Sequence, residues 1–276
     1  MAVSMIHQMM SALSHLRWQP TLKNVRVRLD DAVIADTKQP MLVWEPTRVV
    51  PSYAVPEADI SATLQPAPVG PQPEYRPVGF GADMPAILDP SIPFVVHTAD
   101  GEPLTVRTTA GSREASAFRL ADPDLRGYVV LDFEAFDWWE EDERIVGHPR
   151  DPFHRIDVRS SSRPVRLEHH GEVLAESSRS QMLFEGAFPL VRYYVPRADV
   201  RVELRPGTLQ TTCAYKGHAT HYSAVVGDDE LRDIAWSYED PLDDALQVKG
   251  LICFYQEHLD LFVDGEPVER PRTPWS

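Results

Sequence analysis

Cysteine is almost missing from this chain: 276 residues contain only Cys213 and Cys253. Two thiols cannot build a disulfide framework, and no Cys-x-x-Cys pair exists to hold a structural zinc. Cys253 lies within Leu251-Ile252-Cys253-Phe254 and reads as a small apolar core residue. No stretch approaches the ~20 apolar residues that span a bilayer. The first fifteen residues lack a basic leader and a cleavage site; Met5, Ile6, Met9, Met10 and Leu13 fall near helical spacing instead, so a short amphipathic helix is expected. Positive charge is also scarce, 27 Lys and Arg against 42 Asp and Glu, for a net charge of −15. Such a surface repels nucleic-acid backbones and anionic membranes, so neither is expected as a partner. A cytoplasmic location is expected.

Familiar catalytic signatures are absent too. There is no Gly-Lys-Ser/Thr phosphate loop and no Gly-x-Ser-x-Gly elbow. Asp228-Asp229 and Asp243-Asp244 read as turn acids, so a metal-assisted nucleotidyl transfer finds no support in motifs.

What the chain does have is an internal repeat. Val25-Arg26, Val33, Ala35, Glu45, Tyr53, Val55-Pro56 and Ala58-Asp59 recur, 140 residues on, as Val165-Arg166, Val173, Ala175, Glu185, Tyr193, Val195-Pro196 and Ala198-Asp199. Gly127 and Gly250 each head an apolar strand, and Pro149-Arg150-Asp151-Pro152-Phe153 echoes Pro271-Arg272-Thr273-Pro274-Trp275. This is a duplication. Alternating segments such as Val25-Arg26-Val27-Arg28-Leu29 predict half-buried strands. In the second half, strands are expected near 165–168, 172–177, 181–185, 190–195, 201–205, 208–215, 219–226, 232–238, 250–256 and 259–263. The expected organisation is an N-terminal extension over 1–20, a first repeat over 21–156 with a proline-rich insertion at 66–93, and a second repeat over 157–276. The acidic run Glu140-Glu141-Asp142-Glu143 is expected on a solvated loop. Matching Thr108-Thr109 to Thr211-Thr212 and Asp122-Pro123 to Asp240-Pro241 leaves the strand bearing Trp236 and Tyr238 without a first-half counterpart, so the first repeat reads as a degenerate scaffold.

The chemistry gathers in Thr211-Thr212-Cys213-Ala214-Tyr215-Lys216-Gly217 and its continuation through Tyr222 to Trp236 and Tyr238. Strand alternation puts Thr211, Cys213 and Tyr215 on one face. A concave face lined by Cys213, Tyr215, Tyr222, Trp236 and Tyr238 would suit a flat or cationic small molecule; equally, strand aromatics can simply pack a core. Lys216 could contact an anion, act as a nucleophile or base if its pKa were depressed, or sit solvated at a hairpin tip. Cys213 could be a reactive thiolate if His218 or His221 lay beside it, or an inert packing residue. A metal set of Cys213, His218 and His221 matches no familiar spacing, and no metal or cofactor is expected.

Arg17-Trp18-Gln19-Pro20, Val43-Trp44-Glu45-Pro46, Val49-Val50-Pro51-Ser52-Tyr53-Ala54-Val55-Pro56, Thr212-Cys213-Ala214-Tyr215-Lys216-Gly217-His218-Ala219, Ala235-Trp236-Ser237-Tyr238 and Lys249-Gly250 together resemble the two-copy bacterial proteins of domain-of-unknown-function family 427. The resemblance spans nearly the whole chain, although Ala214 stands where proline is common. It implies an all-β fold of two tandem β-tent-like antiparallel meander domains, expected to form an intramolecular pseudo-dimer. The family is at times labelled nucleotidyltransferase-like. The leading expectation is a small-molecule site in the second repeat built from Cys213, Tyr215, Lys216, Tyr222, Trp236 and Tyr238. An enzyme using Cys213 or Lys216, and a protein-interaction module using the proline-rich segment, are the alternatives.

Overall fold

The computed structural model describes residues 2–68, 75, 77–79, 85–109, 111–186, 190–227 and 229–276. Part of the proline-rich insertion, Pro71 and Pro73 included, and Asp228 of the first acidic pair lie outside the described residues. The described chain is all-β apart from one short α-helix, α1 (Met5–Ser11), and brief 3-10 turns, and its strand ladders are antiparallel. It divides into two compact units that meet in sequence at Asp151 and Pro152.

In the first unit the strands are β1 (Arg17–Pro20), β2 (Val25–Leu29), β3 (Ala32–Thr37), β4 (Met41–Trp44), β5 (Ser52–Pro56), β6 (Thr63–Pro66), β7 (Val78–Gly79), β8 (Ala86–Ile87), β9 (Gly101–Arg107), β10 (Ser112–Leu120), β11 (Tyr128–Leu131), β12 (Asp137–Glu140) and β13 (Glu143–Ile145). They form a seven-stranded sheet in the order β1-β4-β5-β11-β10-β9-β6, a four-stranded sheet β13-β12-β2-β3, and the small pair β7-β8. In the second unit they are β14 (Ile156–Ser161), β15 (Val165–His169), β16 (Glu172–Ser177), β17 (Ser180–Glu185), β18 (Val191–Val195), β19 (Glu203–Cys213), β20 (Gly217–Val226), β21 (Asp229–Ser237), β22 (Ile252–Phe254), β23 (Asp260–Val263) and β24 (Glu266–Val268). The orders are β14-β17-β18-β22-β21-β20-β19 and β16-β15-β23-β24. In the large sheet this repeats the arrangement of the first unit strand for strand.

Local sequence explains the framework. In β2, Val25, Val27 and Leu29 are buried while Arg26 and Arg28 alternate outward, as a pleated strand with one wet face requires. The β2–β3 turn uses Asp30 at φ 51°, and its copy between β15 and β16 uses His170 at φ 51° followed by Gly171 at φ 85°. Each unit's main core lies between its two sheets. In the second unit Val165, Leu167 and Leu261 from the small sheet pack with Val195, Ala235, Ile252 and Phe254 from the large one. Fully burying a side chain of this kind contributes about 1.5–3 kcal/mol.

The topology corrects the alignment of the halves. Ala117 and Phe118 oppose Leu131 and Val130, as Ala235 and Trp236 oppose Phe254 and Cys253. The strand bearing Trp236 therefore does have a first-unit counterpart, β10, with Phe118 in the place of Trp236 and Leu120 in that of Tyr238. Likewise β9 corresponds to β20, so His97 and Thr98 precede β9 where Tyr215 and Lys216 precede β20. Sequence alone pairs Thr108-Thr109 with Thr211-Thr212 because the turn regions share no residues to align. Other expectations shift in smaller ways. The strands expected at 201–205 and 208–215 merge into one bulged strand, β19, which spans Glu203–Cys213 with a register shift between Pro206 and Gln210 and leaves 214–215 in a turn. The acidic run at 140–143 turns the β12–β13 hairpin, and Glu140 accepts from the Tyr53 hydroxyl at 2.7 Å.

Candidate functional site

The outward face of the second unit's large sheet carries its own small core: Val158, Leu183, Tyr194, Trp236, Tyr238 and Cys253, closed by Ala245 and Val248 from the 3-10 segment Asp243–Val248. Register decides which candidate residues reach it. His221 opposes Trp236, whereas Tyr222 opposes Ala235, so Tyr222 and Trp236 belong to opposite faces of the sheet. Tyr222 packs against the inter-sheet core and donates its hydroxyl proton to Glu239 at 3.1 Å, with the Arg197 guanidinium 4.9 Å from its ring centre. Cys213 opposes Gly217 and shares the outward face with Trp236 and Tyr238. The predicted wall of five residues is therefore split.

Tyr215 is not on a strand. Ala214-Tyr215-Lys216 form the turn between β19 and β20, and Gly217 follows at φ 90°, a conformation that costs glycine little and other residues much. The turn folds back onto the sheet, so Tyr215 is buried with its ring 4.7 Å from that of His154. Lys216 is buried as well, 7% exposed, where a hairpin tip predicted a solvated ammonium. Its Nζ donates to Glu185 Oε1 at 2.5 Å. Burial works against its charge, but the Glu185 carboxylate more than offsets this and holds the lysine pKa above its ordinary value. The anion that Lys216 contacts is thus internal, and a lysine held protonated in this way is neither base nor nucleophile. The same pairing lowers Glu185: burial opposes ionisation, and Lys216, then His154 and Arg192, outweigh it. Glu185 Oε2 lies 3.9 Å from His154 Nε2, beyond hydrogen-bond reach, and the side chain stays 20% exposed.

A second ion pair lies on the same face. Arg192 Nη1 and Nη2 donate to Glu257 Oε2 and Oε1 at 2.8 and 2.7 Å, and Thr273 Oγ1 donates to Glu257 Oε1 at 2.9 Å. The guanidinium sits 5.2 Å from the Trp236 ring centre, 5.9 Å from Tyr255 and 6.0 Å from Trp275. Of the residues expected to attract an outside cation, Trp236 instead faces the chain's own arginine, together with Tyr255 and Trp275, which were not among them. Trp236 donates its indole N–H to the Tyr194 hydroxyl at 3.2 Å. Burial pushes both Tyr194 and Tyr238 above the ordinary phenol range, so both remain protonated. Trp236 and Tyr238, 7% and 5% exposed, back the site from inside rather than lining an open wall.

Cys213 is half-buried and Cys253 fully buried; burial pushes the Cys253 thiol up to about 12. The histidines that might have activated Cys213 are engaged elsewhere: His218 Nδ1 with Thr212 Oγ1 and His221 Nε2 with Thr211 Oγ1, each at 2.9 Å. Burial lowers the His221 pKa, so that imidazole is neutral. Among the described residues no three His, Cys, Asp or Glu side chains converge as a metal site.

Sequence reasoning missed Arg192, Glu257 and His154, and named Glu185 only as a matched position. Signals existed for two of these. Arg192 interrupts the apolar run Leu190–Val195, and Glu185 recurs as Glu45 in the repeat. The first unit shows what the framework itself requires at these places. Glu45 is kept and buried, but it accepts from His97 Nδ1 at 2.9 Å and from the backbone N–H groups of Thr98 at 2.6 Å and Ala99 at 3.1 Å. Ser52 stands at the position of Arg192, and an exposed Glu134 at that of Glu257. The fold forms without either of the second unit's buried ion pairs.

The family model described as "Domain of unknown function (DUF427)" matches residues 17–76 and 157–265, one segment in each unit. No curated protein sequence matches the chain. The two matched segments, more than half of the chain, coincide with the duplicated strand order, and the protein belongs to the DUF427 family as a two-copy member.

Proposed function

We propose that the second unit binds a small molecule at a mouth bordered by Glu185, Cys213, His154 and Tyr215, above the Lys216 ammonium. One observation carries this reading. The carboxylate of Glu45 receives three hydrogen-bond donors. Among the described residues its counterpart Glu185 receives one, from Lys216 to Oε1, and its Oε2 stands at a partly exposed position without a donor. A carboxylate oxygen so held accepts strongly from an N–H or O–H group. The ligand head is accordingly a hydrogen-bond donor such as an amine or amide, and Trp236, Tyr238 and Tyr194 form the rigid backing behind it. Buried ion pairs that the sister unit does without support a functional rather than a purely architectural role, because such pairs contribute little net stability over apolar packing. A metabolite panel read by thermal shift tests this. Donor-headed compounds should stabilise the wild type, with the shift lost in Glu185→Gln; a panel in which only carboxylates and phosphates stabilise would refute it.

A second reading, an enzyme with Cys213 as nucleophile, is favoured by the half-exposed thiol lying within electrostatic range of Lys216. It predicts iodoacetamide labelling of Cys213 at neutral pH that slows in Lys216→Met; labelling no faster than that of a free thiol, and indifferent to Lys216, would dismiss it.

A further inference from the structure

Two polar side chains of the second unit, His221 and Asp233, have no counterpart in the first. His221 opposes Trp236 as Pro103 opposes Phe118, so Pro103 stands in its place. Asp233 lies three residues before Trp236, and Ala115 three before Phe118; each sits by a register shift in its ladder, at φ 49° and 48°. The fold makes the same bulge with alanine. In the second unit Gly207 gives the added carboxylate its room, since a Cβ there would collide with Asp233 Oδ1.

His221 is 1% exposed, with its ring 6.3 Å from that of Trp236 and 6.1 Å from that of Tyr255. Its Nε2 lies 2.9 Å from Thr211 Oγ1, whereas Nδ1 and Asp233 Oδ1 are buried without a hydrogen-bond partner among the described residues. Burial lowers the imidazole pKa, and the Asp233 carboxylate and main chain pull the other way. The ring is neutral, and the field of Asp233 favours the tautomer with its proton on Nδ1. Nε2 is then an acceptor, to which the Thr211 hydroxyl donates. Thr211 is exposed on the edge strand β19, so a reactant can reach its oxygen.

We infer that Thr211 is a hydroxyl nucleophile and His221 its general base, acting on the acyl carbon of small activated esters, with Asp233 as the positioning residue that sets the imidazole tautomer. Thr211 Oγ1 attacks the acyl carbon and its proton passes to Nε2. The bond to the leaving oxygen breaks, that oxygen takes the proton from Nε2, and an acyl-threonine remains. Water then attacks the acyl-threonine with Nε2 again as base, releasing the acid and restoring the hydroxyl. This chemistry uses neither Glu185 nor Lys216 and does not depend on the donor-headed ligand proposed above.

The experiment follows p-nitrophenyl acetate hydrolysis by the full chain and maps acetyl groups in acid-quenched digests by mass spectrometry. Thr211→Val and His221→Gln should each lower the rate about 100-fold or more, the contribution of a positioned general base, while Thr211→Ser keeps it. Acetyl should appear on Thr211 and not on Thr212, which is equally exposed and pairs with the exposed His218 at 2.9 Å. Because His221 is buried, His221→Gln can lose activity by loosening the sheet, so Asp233→Asn is the second variant. It keeps the side-chain shape, and nitrogen NMR of His221 should show the Nδ1–H tautomer of the wild type giving way to Nε2–H as acylation slows in parallel. Hydrolysis indifferent to Thr211, acetyl on Cys213 alone or equally on Thr212, or a wild-type His221 protonated on Nε2 would each overturn the inference.

Discussion

Breaking the Arg192–Glu257 pair should be costly, while replacing it whole should not. The Arg192 side chain is 7% exposed and that of Glu257 0%, joined by two hydrogen bonds with a third from Thr273. With charge centres ~4 Å apart and an effective dielectric of ~20, their attraction is about 4 kcal/mol. Removing both ions from water costs several kcal/mol each, so the net contribution against an apolar pair is near zero. Taking away one partner is different, because it strands the other charge. Arg192→Met or Glu257→Gln alone should cost about 3–5 kcal/mol. For a unit of this size that lowers the melting temperature of its transition by roughly 10–20 °C. The double variant Arg192→Met/Glu257→Leu should recover most of the loss. Urea denaturation of the four proteins of the cycle, followed by Trp fluorescence and circular dichroism, gives the coupling energy directly. Single losses below about 1 kcal/mol, or a double variant as unstable as the two singles summed, would refute the account of a dehydrated, mutually dependent pair.

Other outcomes follow from the same geometry. Native protein at pH 8 should take up iodoacetamide at Cys213 and not at Cys253, which reacts only after unfolding, since its thiol is buried and raised to about 12; equal labelling by mass spectrometry would contradict this. Amine acylation at pH 9 should modify the exposed Lys38 and Lys249 while sparing Lys216, whose charge is held by Glu185; early modification of Lys216 would revive it as a base. Stability should also fall in acid. Glu185 and Glu257 are depressed in the folded state, each burial cost being outweighed by its cation, so their contribution is complete above the unfolded pKa of ~4.3 and is lost as pH falls through the folded values. Urea midpoints between pH 7 and 3 should show this decline, flattened in Glu257→Gln; a rise in stability toward acid would reverse the argument. Gly217→Ala should cost about 1–3 kcal/mol from its φ of 90°, measured by thermal melting, and a neutral result would mean the turn adjusts.

By itself the sequence determined the frame. Period-two alternation, turn residues and an ungapped offset of 140 specify antiparallel strands in two copies, because side-chain alternation and turn dihedrals are local properties that survive duplication. It also drew attention to the segment containing Cys213 and Lys216, through the residue types gathered there. Tertiary structure decided what those residues do. Cross-strand register sent Tyr222 to one face and Trp236 to the other, and a shift of one residue, which no local pattern resolves, reverses such an assignment. The fold of a three-residue turn buried Lys216 against Glu185, 31 positions away in sequence. Arg192 met Glu257 across 65 residues and took up the face of Trp236, one of the rings expected to receive an outside cation. The counterpart of that site in the first unit, with His97 seated between Glu45 and Phe118, became recognisable only through strand order. Charges choose partners by distance in space, and only the packed sheets fix those distances.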